Sequence, residues 1–146
     1  MPDLLTVCES WLGTPFRHLA CRRGPDGGVD CIHFVAAALV EAGRLPESLL
    51  AEIPAYPRDW HLHSDDDRLA AGLISRPEYF LVHSGDAADG DVATYQFGRC
   101  SSHSALRVGD HLYHAVVGHG VIRSAAADEF WVSRFRAAFI PIWSAQ

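Results

Sequence analysis

Cys31 is the residue of this sequence whose position most favours covalent chemistry. It follows Asp30 directly and begins a long apolar run, Ile32–Ala42, that stops at Gly43. The pattern predicts a buried helix with Asp30 as its N-cap and Gly43 just beyond its end. Unpaired backbone N–H groups and the helix dipole at such a position stabilise a thiolate and can receive an oxyanion. Cys31 is therefore a candidate nucleophile, and a buried structural thiol is the alternative.

The other three cysteines have weaker chemical contexts. Cys8 lies on the apolar face of the first predicted helix, where a small core residue is the expected role. Cys21 lies in a loop beside two arginines with no base positioned for it, and Cys100 lies in a loop close to His103. No close pair of cysteines has metal-site spacing, and free thiols are expected in a cytosolic protein.

A thiolate nucleophile needs a base and a group that orients the base. Among the nine histidines, His103 and His114 fall on neighbouring predicted strands joined by a turn at Gly109 and Asp110. Pairing through that turn would set the two imidazoles near each other on one sheet face, available to a thiolate on a helix packed over it. For each histidine alone, a structural role in the strand is the alternative.

The elements that must position these residues are helices first and strands afterwards. Residues 3–12 and the run that begins at Cys31 predict two helices, and residues 66–74 predict a short third one. Six short strands are predicted after them: Tyr79–Val82, Asp91–Phe97, Ser102–Val108, His111–Val116, Gly120–Arg123 and Ala137–Ile142. The order predicts one α+β domain over residues 1–146, with the helices packed on a C-terminal antiparallel sheet.

The composition excludes several kinds of chemistry. All 12 basic residues are Arg, and the sequence contains neither Lys nor Asn. There is thus no lysine for a Schiff base or a phosphate-binding loop, and no Cys-His-Asn triad of the papain form.

A net charge of −6 with scattered arginines argues against a nucleic-acid partner. No apolar run reaches the roughly 18 residues of a membrane span, and the first residues lack signal-peptide features, so we expect cytoplasmic synthesis.

Four motifs in the same order resemble those of the NlpC-type cell-wall cysteine peptidases, a papain-like family that cuts peptidoglycan stem peptides. They are Trp11–His18, Gly28–Cys31, Ser102–Leu106 and Leu112–Ala115, and a Gly-Asp-Val sequence at residues 90–92 adds to them. The stretch Tyr56–His63 is similar to the branch of the family found in tailed phages and gene-transfer-agent particles.

The resemblance implies a papain-like fold with the catalytic cysteine at a helix N-terminus. It implies a peptidase of the γ-D-glutamyl-diamino acid endopeptidase type, with no metal or cofactor. Its partners would be peptidoglycan peptides and phage-like tail proteins, and it would act at the cell wall. Cys31 would be the nucleophile, His103 the general base and later the general acid, and His114 the third residue that orients His103.

The same resemblance implies substrate contacts at Asp30, Phe16 and Ser102. Three features depart from the family pattern, and one of them is a long loop between Phe16 and Cys31 that carries Arg22, Arg23 and Asp26. Phe16 stands where the family commonly has Tyr, and Ile32 and His33 follow the cysteine where Ser-Gly is common. In some members the Asp and the Ser hold the free amino end of a stem peptide, so only half of that pair is retained here.

Three alternative functions fit parts of the sequence. His61 and His63, followed by aspartates at 65–67, have the density of a metal site, but a capped turn before a short helix fits the same residues. A non-catalytic component of a phage tail tip would use the fold without the chemistry. A thiol amidase or acyltransferase would use the same thiolate on another amide bond.

Overall fold

The computed structural model describes residues 1–57, 62 and 68–145. Its helices are α1 (Leu4–Trp11), α2 (Cys31–Glu41), α3 (Leu49–Glu52), α4 (Arg68–Ile74) and α5 (Glu129–Val132). Its strands are β1 (Cys21–Arg22), β2 (Gly28–Val29), β3 (Phe80–His83), β4 (Val92–Phe97), β5 (Cys100–Val108), β6 (His111–Val116), β7 (Gly120–Ala125) and β8 (Phe135–Pro141). In the described part of the chain, no helix is long and apolar enough to cross a membrane.

Both long N-terminal helices begin at aspartate caps. The Asp3 carboxylate accepts the Thr6 N–H at 2.8 Å to start α1, and the Asp30 carboxylate accepts the His33 N–H at 2.7 Å to start α2. After α2 the chain turns at Gly43, whose φ of +73° suits a residue without a Cβ. Seven of the eleven residues of α2 are buried, which confirms that it is a central helix.

Strands β3 to β8 form one antiparallel sheet in the order β3-β8-β4-β5-β6-β7. The hairpin between β5 and β6 turns at Gly109 and Asp110, as predicted, with Gly109 at a φ of +58°. Strands β1 and β2 pair separately as a small ribbon ahead of α2. The helices-then-sheet layout confirms the predicted α+β class.

The sheet buries a different cluster on each side. On the helix face, Leu106, Tyr113 and Ala115 pack with residues of α1 and α2. On the aromatic face, Ala105 and Leu112 pack with Trp131 of α5. Because side chains alternate along a strand, residues 103, 105, 112 and 114 share the aromatic face. The prediction that the two histidines lie on the face under the cysteine-bearing helix was wrong in this respect.

Sequence patterns missed the short elements. The loop predicted before Cys31 contains the ribbon β1–β2, whose two-residue strands are too short for an alternating pattern. Helix α5 was also missed, although Asp128 caps it by accepting the Phe130 N–H at 2.9 Å. Strand β8 starts at Phe135, two residues before the predicted start. The helix predicted over residues 66–74 is seen from Arg68, and residues 66 and 67 lie outside the described part.

Candidate active site

Cys31 is the first residue of α2 and its side chain is buried, with 6% of its surface exposed. Its thiol donates a long hydrogen bond to the Ser102 carbonyl, with 3.8 Å between sulfur and oxygen. The Ser104 hydroxyl donates to the Cys31 carbonyl at 3.1 Å. The two contacts tie the N-terminus of α2 to β5, so the thiol is fixed against the strand that carries His103.

His103 and His114 contact each other directly. Nε2 of His103 lies 2.8 Å from Nδ1 of His114, and Nε2 of His114 lies 2.8 Å from the Ser124 hydroxyl. His114 is fully buried and His103 nearly so. Within the described chain, Nδ1 of His103 has no hydrogen-bond partner, so this atom is available to exchange a proton.

Trp131 covers the histidine pair from the aromatic face. Its ring stacks on His103 with centroids 5.3 Å apart and meets the His114 ring edge-on at 4.5 Å. Tyr95 and Phe97 of β4 complete the aromatic wall around His103, at centroid distances of 6.0 and 5.9 Å. Water is therefore excluded from the hydrogen bond between the imidazoles, which strengthens that bond.

His103 lies just beyond the end of a strand ladder and follows in sequence the residue that the thiol contacts. The pairing of β5 with β6 stops at Leu106 and Tyr113, and His103 lies on the part of β5 beyond that last pair. Cys31 comes from the helix face and contacts the carbonyl of Ser102, the residue just before His103. Among the described residues, no hydrogen bond joins the thiol to His103. Catalytic hydrogen bonds of this kind often tighten only when substrate binds.

Burial disfavours the charged forms of Cys31, His103 and His114. It raises the pKa of Cys31 to about 11, with hydrogen bonds from Ser104 partly offsetting it and the Asp30 charge adding to it. Burial and repulsion by His114 hold the pKa of His103 well below its usual range, and burial lowers that of His114 to about 4. The expected stabilisation of a thiolate by the helix N-terminus is thus outweighed by loss of water. Burial therefore favours the neutral thiol and the neutral imidazoles.

The Asp30 carboxylate is occupied by donors of the chain itself. Oδ1 accepts from the backbone N–H and from Nδ1 of His33, at 2.7 and 2.9 Å. Oδ2 accepts from the Leu19 N–H and the Tyr56 hydroxyl, each at 2.8 Å. Burial acts to raise the pKa of Asp30, but the contacts with His33 and Tyr56 outweigh it and the pKa is lowered. The buried carboxylate therefore links the loops around the start of α2 through its hydrogen bonds.

Phe16 and Ser102 are also placed by local structure. Phe16 is half-buried, forms an isolated backbone bridge with Val29 and packs against the core. The Ser102 hydroxyl donates to the Phe97 carbonyl and accepts the Phe97 N–H, at 3.1 and 3.3 Å, and so closes the turn between β4 and β5. The contact of Ser102 with Cys31 is made by its backbone. Substrate contact at these two residues and at Asp30 stays a prediction.

A cavity of about 510 Å³ adjoins the start of α2. Its walls are mainly apolar side chains of α2, α3 and α4. Three of its lining residues are linked to the thiol's surroundings: Ile32 follows Cys31, Ser104 binds the Cys31 carbonyl, and Tyr56 binds Asp30. The volume is within the range of small-ligand sites, so there is room for a bound group near the start of α2, although Cys31 itself does not line the cavity.

The predicted metal alternative falls on residues that the structure does not describe, since His61, His63 and residues 65–67 lie outside the described ranges. Within those ranges, no cluster of three or more His, Cys, Asp or Glu side chains could hold a metal ion. All four cysteines are free thiols.

No protein-family model and no curated protein sequence matches this chain. Two solved structures share its architecture at low sequence identity. A lipoprotein-like NLP/P60 family protein from Staphylococcus aureus subsp. aureus Mu50 superposes with a TM-score of 0.57 at 16% identity, over 95% of this chain and 40% of that one. The NlpC/p60 domain of the peptidoglycan hydrolase SagA superposes with a TM-score of 0.55 at 16% identity, over 93% of this chain and 94% of that one. This chain has the NlpC/P60 fold.

The papain-like architecture implied by the sequence motifs is therefore confirmed. The chain spans well under half of the staphylococcal protein and nearly all of the SagA domain. At 16% identity the structural similarity establishes the fold alone. The roles of individual residues must be argued from the geometry of the site in this chain.

Sequence reasoning missed two residues of the site. Ser124 is on β7, opposite Leu112, and nothing near it in sequence distinguishes it from other strand serines. Trp131 is on the missed helix α5, whose Asp128 cap was the available signal. Both join the site through tertiary packing on the aromatic face, which one-dimensional patterns do not encode.

Proposed function

We propose that this chain is a cysteine peptidase that hydrolyses an amide bond in peptidoglycan stem peptides. The observation that carries the proposal is the buried His103–His114 hydrogen bond beside a helix-start thiol fixed one residue from His103. The architecture shared with a peptidoglycan hydrolase domain supports the choice of substrate. Covalent acyl transfer by a thiol commonly uses an imidazole as its base.

The proposed reaction has two steps. In the first, Nδ1 of His103 takes the thiol proton as Cys31 Sγ attacks the amide carbonyl, and the resulting imidazolium then protonates the leaving amine. In the second, His103 removes a proton from water, the hydroxide attacks the thioester, and Cys31 leaves and recovers its proton. The unpaired backbone N–H groups at the start of α2 are suited to hold the oxyanion of each tetrahedral intermediate.

His114 would act through its contact with His103. By accepting a hydrogen bond at Nδ1, it fixes the ring orientation of His103 and favours the imidazolium that forms during attack. Because burial favours the neutral thiol and the neutral imidazoles, the ion pair would form only with substrate bound, when the amide carbonyl is in place to react.

The finer assignments rest on the sequence motifs. We propose the bond between γ-D-glutamate and the diamino acid as the one cleaved, and a phage-like particle as the route by which the protein reaches the wall. The motif at residues 56–63 supports that route, and residues 58–61 and 63 lie outside the described part of the chain.

The test is digestion of defined muropeptides by the purified protein, with products identified by mass spectrometry. The wild type is expected to release fragments whose masses identify the bond that is cut. Cys31→Ala is expected to release none. Cys21→Ala, which removes an exposed thiol outside the site, is the matched control and is expected to match the wild type. Absence of cleavage by the wild type, or full cleavage by Cys31→Ala, would overturn the proposal.

A further inference from the structure

Ser124 extends the chain of side-chain contacts that begins at His103. Its hydroxyl lies 2.8 Å from Nε2 of His114. Ser124 pairs with Leu112 across the β6–β7 ladder, and His114 pairs with Ile122, so the contact is a diagonal one on the aromatic face. In the described chain, the Ser124 side chain makes no other hydrogen bond. Its hydroxyl is therefore committed to His114.

Two sets of proton positions satisfy these contacts. In one, His103 donates from Nε2 to Nδ1 of His114, and His114 donates from Nε2 to Ser124. In the other, every hydrogen bond is reversed and His103 carries its proton on Nδ1. Only the first set leaves Nδ1 of His103 as a base for the Cys31 proton, and only the first set survives when His103 becomes doubly protonated.

We propose that Ser124 is a positioning residue that stabilises His114 in this productive set of tautomers, in which the Ser124 hydroxyl is the acceptor. By accepting the Nε2–H of His114, it keeps Nδ1 of His114 as an acceptor for His103. Because His114 is fully buried, its Nε2–H would lose the one acceptor that it has among the described residues if the hydroxyl were absent. The inference rests on the proposed function, since it assigns a role within the same site.

Thiol alkylation tests the inference without any peptidoglycan substrate. Iodoacetamide would be reacted with the folded protein between pH 6 and 10, and the rate at Cys31 measured by tryptic peptide mapping. Because the chain contains Arg and no Lys, trypsin places the four cysteines on four separate peptides, and residues 24–44 carry Cys31 alone. The variants are Ser124→Ala, the hydroxyl-retaining Ser124→Thr, and Ser10→Ala as a control on the exposed side of α1.

At pH values below the pKa of the thiol, Ser124→Ala is expected to slow alkylation of Cys31 about tenfold, the effect of losing one part-buried hydrogen bond. Its kcat on muropeptides is expected to fall by a similar factor, with KM unchanged. Ser124→Thr and Ser10→Ala are expected to be alkylated at rates within about twofold of the wild type, since each variant keeps a hydroxyl at position 124. A Ser124→Ala protein that is less stable but alkylates at the wild-type rate would overturn the inference.

Nitrogen-15 NMR of the histidine rings supplies a second readout. His114 is expected to carry its proton on Nε2 in the wild type, and a proton on Nδ1 would overturn the inference.

The experiments can distinguish failure of the peptidase proposal from failure of the Ser124 proposal. If the wild type cuts no muropeptide but Ser124→Ala still slows alkylation, the tautomer role stands and the peptidase does not. If the wild type cuts and Ser124→Ala matches it in both assays, the peptidase stands and the tautomer role does not.

Discussion

His103 and His114 are in hydrogen-bond contact although they do not face each other across the β5–β6 ladder. The register pairs Leu106 with Tyr113, and its continuation sets His114 opposite Ala105, two residues from His103. Diagonal neighbours on one face are within reach of long side chains. The 2.8 Å hydrogen bond between Nε2 of His103 and Nδ1 of His114 therefore depends on the packing of both imidazoles under Trp131 as well as on the strand register.

Replacement of His114 tests whether this contact matters for catalysis. His114→Ala removes the acceptor for His103, and we expect kcat to fall on the order of 10²-fold because the imidazolium loses its partner. His114→Gln can still present a carbonyl oxygen to Nε2 of His103 and is expected to recover part of the loss. Steady-state kinetics on muropeptides measure both variants. Equal activity of His114→Ala and the wild type would exclude His114 from the mechanism.

The buried histidines make stability dependent on pH. Their folded-state pKa values are lowered, so the unfolded chain binds protons that the folded chain does not, and the free energy of unfolding decreases as the pH falls. For His114 the loss extends from about pH 6.5 down to about pH 4 and amounts to about 3 kcal/mol, since each pKa unit is worth about 1.4 kcal/mol.

Urea unfolding at pH 7.5, 5.5 and 4.5 measures this dependence. His114→Gln does not titrate in that range, and it is expected to show a shallower decrease than the wild type. Protonation of Asp30, whose pKa is lowered from 3.8, acts mainly below this window and affects both proteins alike. Identical pH profiles for the two proteins would contradict the assignment of the effect to His114.

Trp131 is expected to support both the fold and the histidine pair. Truncation to Ala opens a void beside His103 and His114 and is expected to cost about 3–5 kcal/mol of unfolding free energy, as for other buried aromatic residues. Water entering the void would compete for the bond between the imidazoles, so kcat is expected to fall as well.

Phe130 provides the matched control for this experiment. It is the preceding residue of α5 and is 48% exposed, so Phe130→Ala is expected to be much milder. Trp131→Phe keeps an aromatic cover and is expected to retain most of the stability. Urea unfolding and muropeptide kinetics measure each variant, and equal losses in Phe130→Ala and Trp131→Ala would argue against a specific role for the indole.

The parts of the site that sequence could predict are those set by local rules. Asp30 caps α2 because a short acidic side chain reaches the first free N–H groups, and this can be seen in the order Asp-Cys before an apolar run. The hairpin at Gly109 and Asp110 likewise follows from turn chemistry, and it was enough to bring His103 and His114 onto one face.

The parts that sequence could not predict depend on the three-dimensional register of the sheet and on burial. The histidines were assigned to the wrong face of the sheet. Alternation along a strand shows which residues share a face, but not which of the two faces packs against the helices. The balance at Cys31 could not be predicted from sequence either, since the helix N-terminus favours the thiolate whereas burial raises the pKa of the thiol. Ser124 joins the site from a third strand, at a position set by the β6–β7 register.

The filled carboxylate of Asp30 leads to a prediction about the substrate. An ionised carboxylate has about four acceptor positions, and all four are used here by Leu19, His33 and Tyr56. Asp30 is also fully buried, so a substrate ammonium group would bind it only by displacing one of these donors. We therefore expect stem peptides with a free and with an N-acetylated first residue to be cleaved with kcat/KM values within about threefold, since no buried charge pair is lost on acetylation.

Parallel assays on the two peptides, which differ only in the acetyl group, measure this ratio. Tyr56→Phe frees one acceptor position on Asp30 without removing the aromatic ring, so it is the informative variant. Preference for the free amine is expected to increase in Tyr56→Phe relative to the wild type, because the vacated oxygen can then accept from an ammonium group. A preference of a hundredfold or more for the free amine in the wild type would mean that the substrate displaces one of these donors from Asp30.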